Sequence, residues 1–166
     1  DNVSAILNMY LPGQNGGTAM AQLVFGDKTP CGKLAETWAI SYDDVPFGKD
    51  FGKTRNEIYK ESIFVGYRYY LTADKKVRYP FGYGLSYTSF DYRAIETSET
   101  ETEINVSCEV VNKGKYDGAE IVQLYVKAPR DGVFKPLKEL KGFTKVYLKA
   151  GESKKVTITV EKDDLR

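Results

Sequence analysis

The stretches "EINVSCEVVNKG" (Glu103–Gly114) and "EIVQLYVKAP" (Glu120–Pro129) decide how this chain folds. Each alternates apolar with polar residues at a period of two, the spacing of a strand with one buried face. Between them Asn112-Lys113-Gly114 supplies a turn signal. Three more segments share the texture: "YTSFDYRAIET" (Tyr87–Thr97), "KELKGFTKVYLKAG" (Lys138–Gly151) and "KKVTITVEKDDL" (Lys154–Leu165). Strands about ten residues apart, with turns and no helix between them, predict a mostly antiparallel β-sandwich over residues 85–166. A seven-stranded sandwich needs roughly 100 residues, and five strands fit here, so the sandwich is expected to be truncated C-terminally.

Upstream the grammar changes. "NVSAILNMYLPGQNGG" opens with an apolar run, Val3–Leu11, bounded by Pro12-Gly13, which predicts a buried strand. "GGTAMAQLVFGD" follows with Ala19, Leu23 and Val24 at helical spacing and Gly26 where a helix C-cap glycine belongs. Strand, glycine loop and helix make one unit of an α/β fold, and one unit cannot build a core. Residues 1–42 are therefore expected to be the tail of a larger α/β domain, and the fold class an α+β fragment. The missing initiator Met at Asp1 agrees with a fragment or a processed product. Residues 43–84 are rich in Gly, Pro and aromatics and read as an irregular, ordered connection, with a short strand or turn around Gly66.

Composition narrows the function. The 166 residues are 42% apolar and 28% charged, with 24 basic against 23 acidic residues. That balance carries no footprint for nucleic acid or an anionic membrane, and no run is long enough to span a bilayer. The chain suits a soluble protein, cytoplasmic or secreted, of bacterial type. It has no histidine, which removes Ser-His-Asp and Cys-His catalysis and the commonest zinc sites. Cys31 and Cys108 read as free thiols. No cofactor or metal is implied. The loop "PGQNGGTA" has neither the Gly-Lys-Ser/Thr of a phosphate loop nor G-x-G-x-x-G, so it reads as a tight turn, and a nucleotide-binding protein is disfavoured.

Glycoside hydrolysis needs two carboxylates. Asp43 and Asp44, Glu57 and Glu61, and Asp163 and Asp164 are the pairs available, and each reads better as a solvated face or turn. Lys138, Lys141 and Lys145 read as the solvated side of a β-ribbon. Asn2-Val3-Ser4 and Asn105-Val106-Ser107 match the glycosylation sequon. The aromatics are the anomaly: 13 Tyr, 8 Phe and one Trp, concentrated between Tyr59 and Tyr92. These rings read first as a rigid interdomain core, with their hydroxyls satisfied at its edge. Sugar stacking is a secondary reading of the same rings.

The segments "LPGQNGGTAMAQLVFGDKTPCGKLAETW", "IYKESIFVGYRYY" and "YPFGYGLSYTSFDY", in that order, resemble glycoside hydrolase family 3. "NKGKYDGAEIVQLYVKAP" and "KPLKELKGFTKVYLKAGESKKVTITV" resemble the fibronectin type III-like domain that follows in many members. The resemblance spans nearly the whole chain, and it implies that "RYPFGYGLSYTSFDY" (Arg78–Tyr92) is the hinge between the α/β sandwich and the fibronectin-like domain, with glycines at 82 and 84 allowing close approach and Phe81, Tyr83, Tyr87, Phe90 and Tyr92 filling the interdomain seam. It implies a parent with a (β/α)8 barrel, an α/β sandwich and the fibronectin-like domain, acting on terminal β-linked sugars with retention of configuration. The family's aspartate nucleophile lies in the barrel and its glutamate acid/base upstream of the segment matching "LPGQNGG". No catalytic residue is therefore expected in this chain, the substrate-binding residues stay unassigned, and the chain alone is expected to be inactive. Its partners would be the remaining parental domains and an oligosaccharide or β-glucoside. Ser62 stands where the family commonly has Gly, Ala35 and Ala39 replace common prolines, and Cys31 replaces a small residue. Some members place the barrel after the fibronectin-like domain. The competing class is a non-catalytic module that binds carbohydrate or protein.

Overall fold

The computed structural model describes residues 3–53, 55–56, 58–129 and 132–165. Helix α1 spans Gly16–Val24, followed by β1 (Trp38–Ala39), helix α2 (Tyr67–Thr72) and β2 (Val77–Tyr79), then β3 (Phe90–Glu99), β4 (Glu103–Asn112), β5 (Gly118–Val126), β6 (Glu139–Leu148) and β7 (Ser153–Glu161). β3, β4 and β7 form one antiparallel sheet with β4 in the middle, and β5 pairs with β6 in a second. Short β1 and β2 pair with each other.

All five strands expected downstream of residue 85 are present. The alternation that predicts them also builds the core. Cys108 and Val110 of β4, Val122 of β5, Leu148 of β6 and Ile158 of β7 pack together, with Phe90, Leu124, Val146 and Val156 around them. Gly142 of β6 lets the sheets approach, since a Cβ there would lie 2.5 Å from Cγ2 of Ile158. β3 carries a bulge between Arg93 and Glu96, where Ala94 adopts φ 47°.

Asn112, the first residue of the Asn-Lys-Gly turn, is fully buried. Its Oδ1 accepts from Thr88 Oγ1 (2.6 Å) and the Gly114 N–H (3.1 Å). Its Nδ2 donates to the carbonyls of Tyr116 (2.8 Å) and Leu148 (3.2 Å). One amide thus joins the ends of β4 and β6 and the turn between β4 and β5.

The upstream part departs from expectation in two places. α1 forms where helical spacing places it, and it ends at Gly26 (φ 81°), whose N–H bonds to the Leu23 carbonyl. Val3–Leu11, however, forms no strand and is largely exposed. An apolar run becomes a strand only with a neighbour to complete its ladder, and none stands beside it among the described residues. The second departure is α2, read as a strand or turn. Tyr67, Tyr70 and Leu71 recur at helical spacing and turn one face inward. The aromatic composition, which favours strands, hid that period.

Replacing Asn112 by Asp keeps both acceptor contacts but turns an oxygen toward two carbonyls. Urea denaturation should show Asn112→Asp destabilised by about 2–4 kcal/mol. A loss below about 0.5 kcal/mol would mean the amide is not the joint described.

Candidate functional site at the aromatic seam

A cavity of about 460 Å³ opens where residues 33–37, α2 and the aromatic run meet β5. Backbone bonds first fix its wall: Leu34 N–H donates to the Tyr83 carbonyl (2.8 Å) and Gly82 N–H to the Leu34 carbonyl (2.7 Å). Both glycines of the hinge are required. Gly82 has φ 78°, and a Cβ on it would strike the amide of Gln123, while a Cβ on Gly84 would strike the Gly32 carbonyl. Gln123 Nε2 donates to the Gly82 carbonyl (3.1 Å), and its Oε1 accepts from the Tyr125 hydroxyl (2.7 Å).

Rings then bridge the two parts. Tyr67 of α2 packs on Phe81 (4.8 Å between centroids) and edge-on to Tyr125 of β5 (5.8 Å). Tyr83 stacks on Tyr79 (5.3 Å), and Tyr79 meets Trp38 edge-on (5.7 Å). Phe64 stacks on Phe134 (4.9 Å). The hydroxyl of Tyr87 reaches the Leu23 carbonyl of α1 (2.7 Å), and that of Tyr67 accepts from Leu140 N–H (2.7 Å). Phe90 joins the sandwich core. Of the five aromatics expected at a seam, Tyr87 reaches across and Phe90 anchors in the core, Phe81 and Tyr83 pack on Tyr67 and Tyr79 of their own side, and the crossing ring pairs are Tyr67 with Tyr125 and Phe64 with Phe134.

At the floor lies a buried ion pair. Lys33 Nζ sits 3.1 Å from Glu120 Oε1 and also donates to the Gly84 carbonyl (3.0 Å). The two side chains are only 16% and 11% exposed. The Tyr92 hydroxyl donates to the same carboxylate (3.2 Å). Burial, followed by the negative charge of Glu120, pushes the Tyr92 phenol well above the usual tyrosine range.

Asp43, Asp44, Glu61, Asp163 and Asp164, the described members of the carboxylate pairs singled out in the sequence, do not line this cavity. Asp43 pairs with Lys49 (3.0 Å), and Asp44 caps the Ser41 N–H (3.2 Å), both around a 3₁₀ turn. Glu61 lies in a turn closed by the Phe64 N–H, and Glu57 falls outside the described residues. Asp163 and Asp164 sit on a 3₁₀ turn at Lys162–Leu165, where Lys141 Nζ bonds the Asp164 carbonyl (2.7 Å). Among the described residues Glu120 is the one carboxylate on the cavity lining, and it lies outside the pairs read from the sequence. The signal existed: Glu120 shares its strand face with Val122 and Leu124, so an acid stands in an apolar stripe. Lys138, read as a solvated lysine, instead lines the cavity, with Nζ 4.6 Å from the Tyr125 ring centre.

Other expectations resolve locally. Gly16 packs on Pro12 with no room for a Cβ, so "PGQNGG" is a tight turn. Both cysteines are free. Asn105 lies in the central strand β4 with its Oδ1 accepting from Thr159 Oγ1 (2.6 Å), a poor place for a glycan, and Asn2 lies outside the described residues. Among the described residues no group of His, Cys, Asp or Glu could hold a metal, and no helix is long and apolar enough to cross a membrane.

Residues 1–87 match the model of the glycosyl hydrolase family 3 C-terminal domain. The chain belongs to glycosyl hydrolase family 3. Residues 120–166 match the fibronectin type III-like domain. Thermostable β-glucosidase B of Acetivibrio thermocellus is 47% identical over 98% of the chain, which covers 22% of that protein. An exo-α-(1→6)-L-arabinopyranosidase of Bifidobacterium breve is 44% identical over 96% of the chain and 21% of its own length. Among solved structures, the family 3 β-glucosidase of Bifidobacterium adolescentis superposes with a TM-score of 0.88 at 42% identity, over 94% of this chain and 23% of that one. β-Glucosidase 3B of Thermotoga neapolitana in complex with glucose gives 0.87 at 38% identity, over 92% and 22%. The chain thus spans about a fifth of the length of the relatives it matches.

Two measurements follow. Ser62, where the family commonly has Gly, has φ 51° and opens the turn closed by Phe64 N–H on the Glu61 carbonyl. Ser62→Gly should raise stability by about 0.5–1 kcal/mol in thermal denaturation, and a loss would show that the side chain contributes more than its strained backbone costs. The raised phenol of Tyr92 has the opposite sense to an acid effect. Its contribution is complete below the unfolded tyrosine value of about 10 and is lost as pH rises beyond it. Urea midpoints should fall above about pH 10, and Tyr92→Phe should make that fall shallower. An unchanged slope would place the alkaline sensitivity elsewhere.

Proposed function

We propose that this chain serves as the C-terminal structural portion of a retaining, exo-acting β-glycosidase of the β-glucosidase type, with no hydrolysis of its own. Its organisation is residues 1–42 as the closing piece of the α/β sandwich domain, 43–84 as the aromatic connection, and 85–166 as the fibronectin-like sandwich. The catalytic carboxylates, the sugar-selecting pocket and the barrel belong to the rest of the longer enzyme.

One observation carries this reading. Hydrolysis of a glycosidic bond needs two carboxylates about 5–10 Å apart across the bond. Among the described residues the seam cavity offers only Glu120, and that carboxylate is held by Lys33 and Tyr92. A group ion-paired inside a wall braces the wall. The named activities of similar proteins, glucosidase and arabinopyranosidase, support placing sugar choice outside this shared segment.

A second reading is that the sandwich holds polysaccharide. It rests on Phe143 and Tyr147 of β6, which are 69% and 66% exposed.

Intact mass with an aryl β-glucoside assay tests the first reading. Protein at 18.7 kDa should show no hydrolysis, whereas a longer protein carrying the same segment should be active. Hydrolysis at 18.7 kDa would overturn the proposal and redirect attention to Asp43, Asp44, Glu57 and Glu61. Retention of the chain on insoluble glucan, lost in a Phe143→Ala, Tyr147→Ala variant, would favour the second.

A further inference from the structure

The charges around the seam cavity do not cancel. Lys33 is neutralised by Glu120. Lys75 and Lys138 line the same cavity, and no carboxylate among the described residues is ion-paired to either. Lys138 Nζ lies over the Tyr125 ring, whose face tempers but does not cancel a positive charge. A cleft with uncompensated charge of one sign concentrates ligands of the other.

We propose that this cavity binds a small sugar acid, a pyranose ring carrying one carboxylate. The volume of about 460 Å³ falls in the range of small-molecule sites. Tyrosine and phenylalanine rings give flat apolar walls against which the C–H faces of a pyranose can lie. Lys75 and Lys138 supply donors for the carboxylate. The hydroxyls would meet the free lone pairs of Glu120 and the Tyr83 hydroxyl, which makes no hydrogen bond within the described residues. A flat aromatic acid would meet the lysines but offer no hydroxyl to the remaining lone pairs of Glu120 or to the Tyr83 hydroxyl. A neutral sugar would leave the two cations unanswered. Inorganic phosphate would answer the cations but not the rings. The site is argued from this chain's own cavity and stands whether or not the longer enzyme is a glucosidase.

The test is an NMR titration of the 166-residue chain with glucuronate, glucose, benzoate and inorganic phosphate in parallel. Glucuronate should give saturable shifts at Tyr83, Tyr125 and their neighbours. Glucose, which lacks the charged hydrogen bonds, should bind about tenfold more weakly, and benzoate and phosphate no better than glucose. Lys75→Met and Lys138→Met should each weaken glucuronate about tenfold with unchanged melting temperature. Lys75→Arg should restore most of the affinity, and Lys145→Met, on β6 away from the cavity, should leave it unaltered. No saturable shift, equal affinity for glucose or benzoate or phosphate, or insensitivity to both lysine substitutions would overturn the proposal.

Discussion

The contact between Lys33 and Glu120 is the constraint on which the arrangement of the chain turns. It is a charge pair withdrawn from water, and such pairs are costly to form and more costly to break, because removing one partner strands the other. Glu120 sits on β5 and Lys33 in an irregular segment far from it in sequence. Their union therefore fixes how the two parts meet. The third and fourth ligands of the pair, the Gly84 carbonyl and the Tyr92 hydroxyl, come from the middle and the end of the aromatic run. The run is thus folded around the ion pair as well as around its own rings.

The pair also explains the hinge glycines. For Lys33 to reach Gly84, the backbones at Gly32 and Gly84 must come closer than a Cβ permits. Gly82 plays the matching role against Gln123. What reads in the sequence as a flexible joint is in the structure a place where two segments of the chain touch. Flexibility and close approach share one residue type, and only the neighbours distinguish them.

Legibility followed the range of the interactions. The strands of the sandwich were readable because Cys108, Val110, Val122, Ile158 and their polar neighbours report burial at a period of two within one segment. The helix α1 was readable from its spacing and from Gly26. The seam was only half readable: the crowd of tyrosines announced it, yet Lys33 and Glu120 became partners through tertiary contact that no local pattern encodes. α2 was missed because six residues with three tyrosines carry strand propensity and a helical period at once, and packing against Phe81 and Tyr125 decided between them.

Val3–Leu11 shows the limit from the other side. An apolar run states what a segment would gain by burial, not what is present to bury it. The described residues offer it no ladder, and α1 beside it buries little beyond Gly16, with Val24 and Phe25 exposed. The sandwich, by contrast, owns both the ladders and the core that hold it. Cooperative unfolding of this chain must then report chiefly on β3 to β7, with the seam as its boundary, while residues 3–26 contribute through the hydroxyl bond from Tyr87 to Leu23, the Lys28 N–H on the Gln22 carbonyl and their own helical bonds. A stability change measured after substitution in α1 would accordingly be small even where the residue is apolar, and that smallness would reflect what the helix packs against rather than what it is made of.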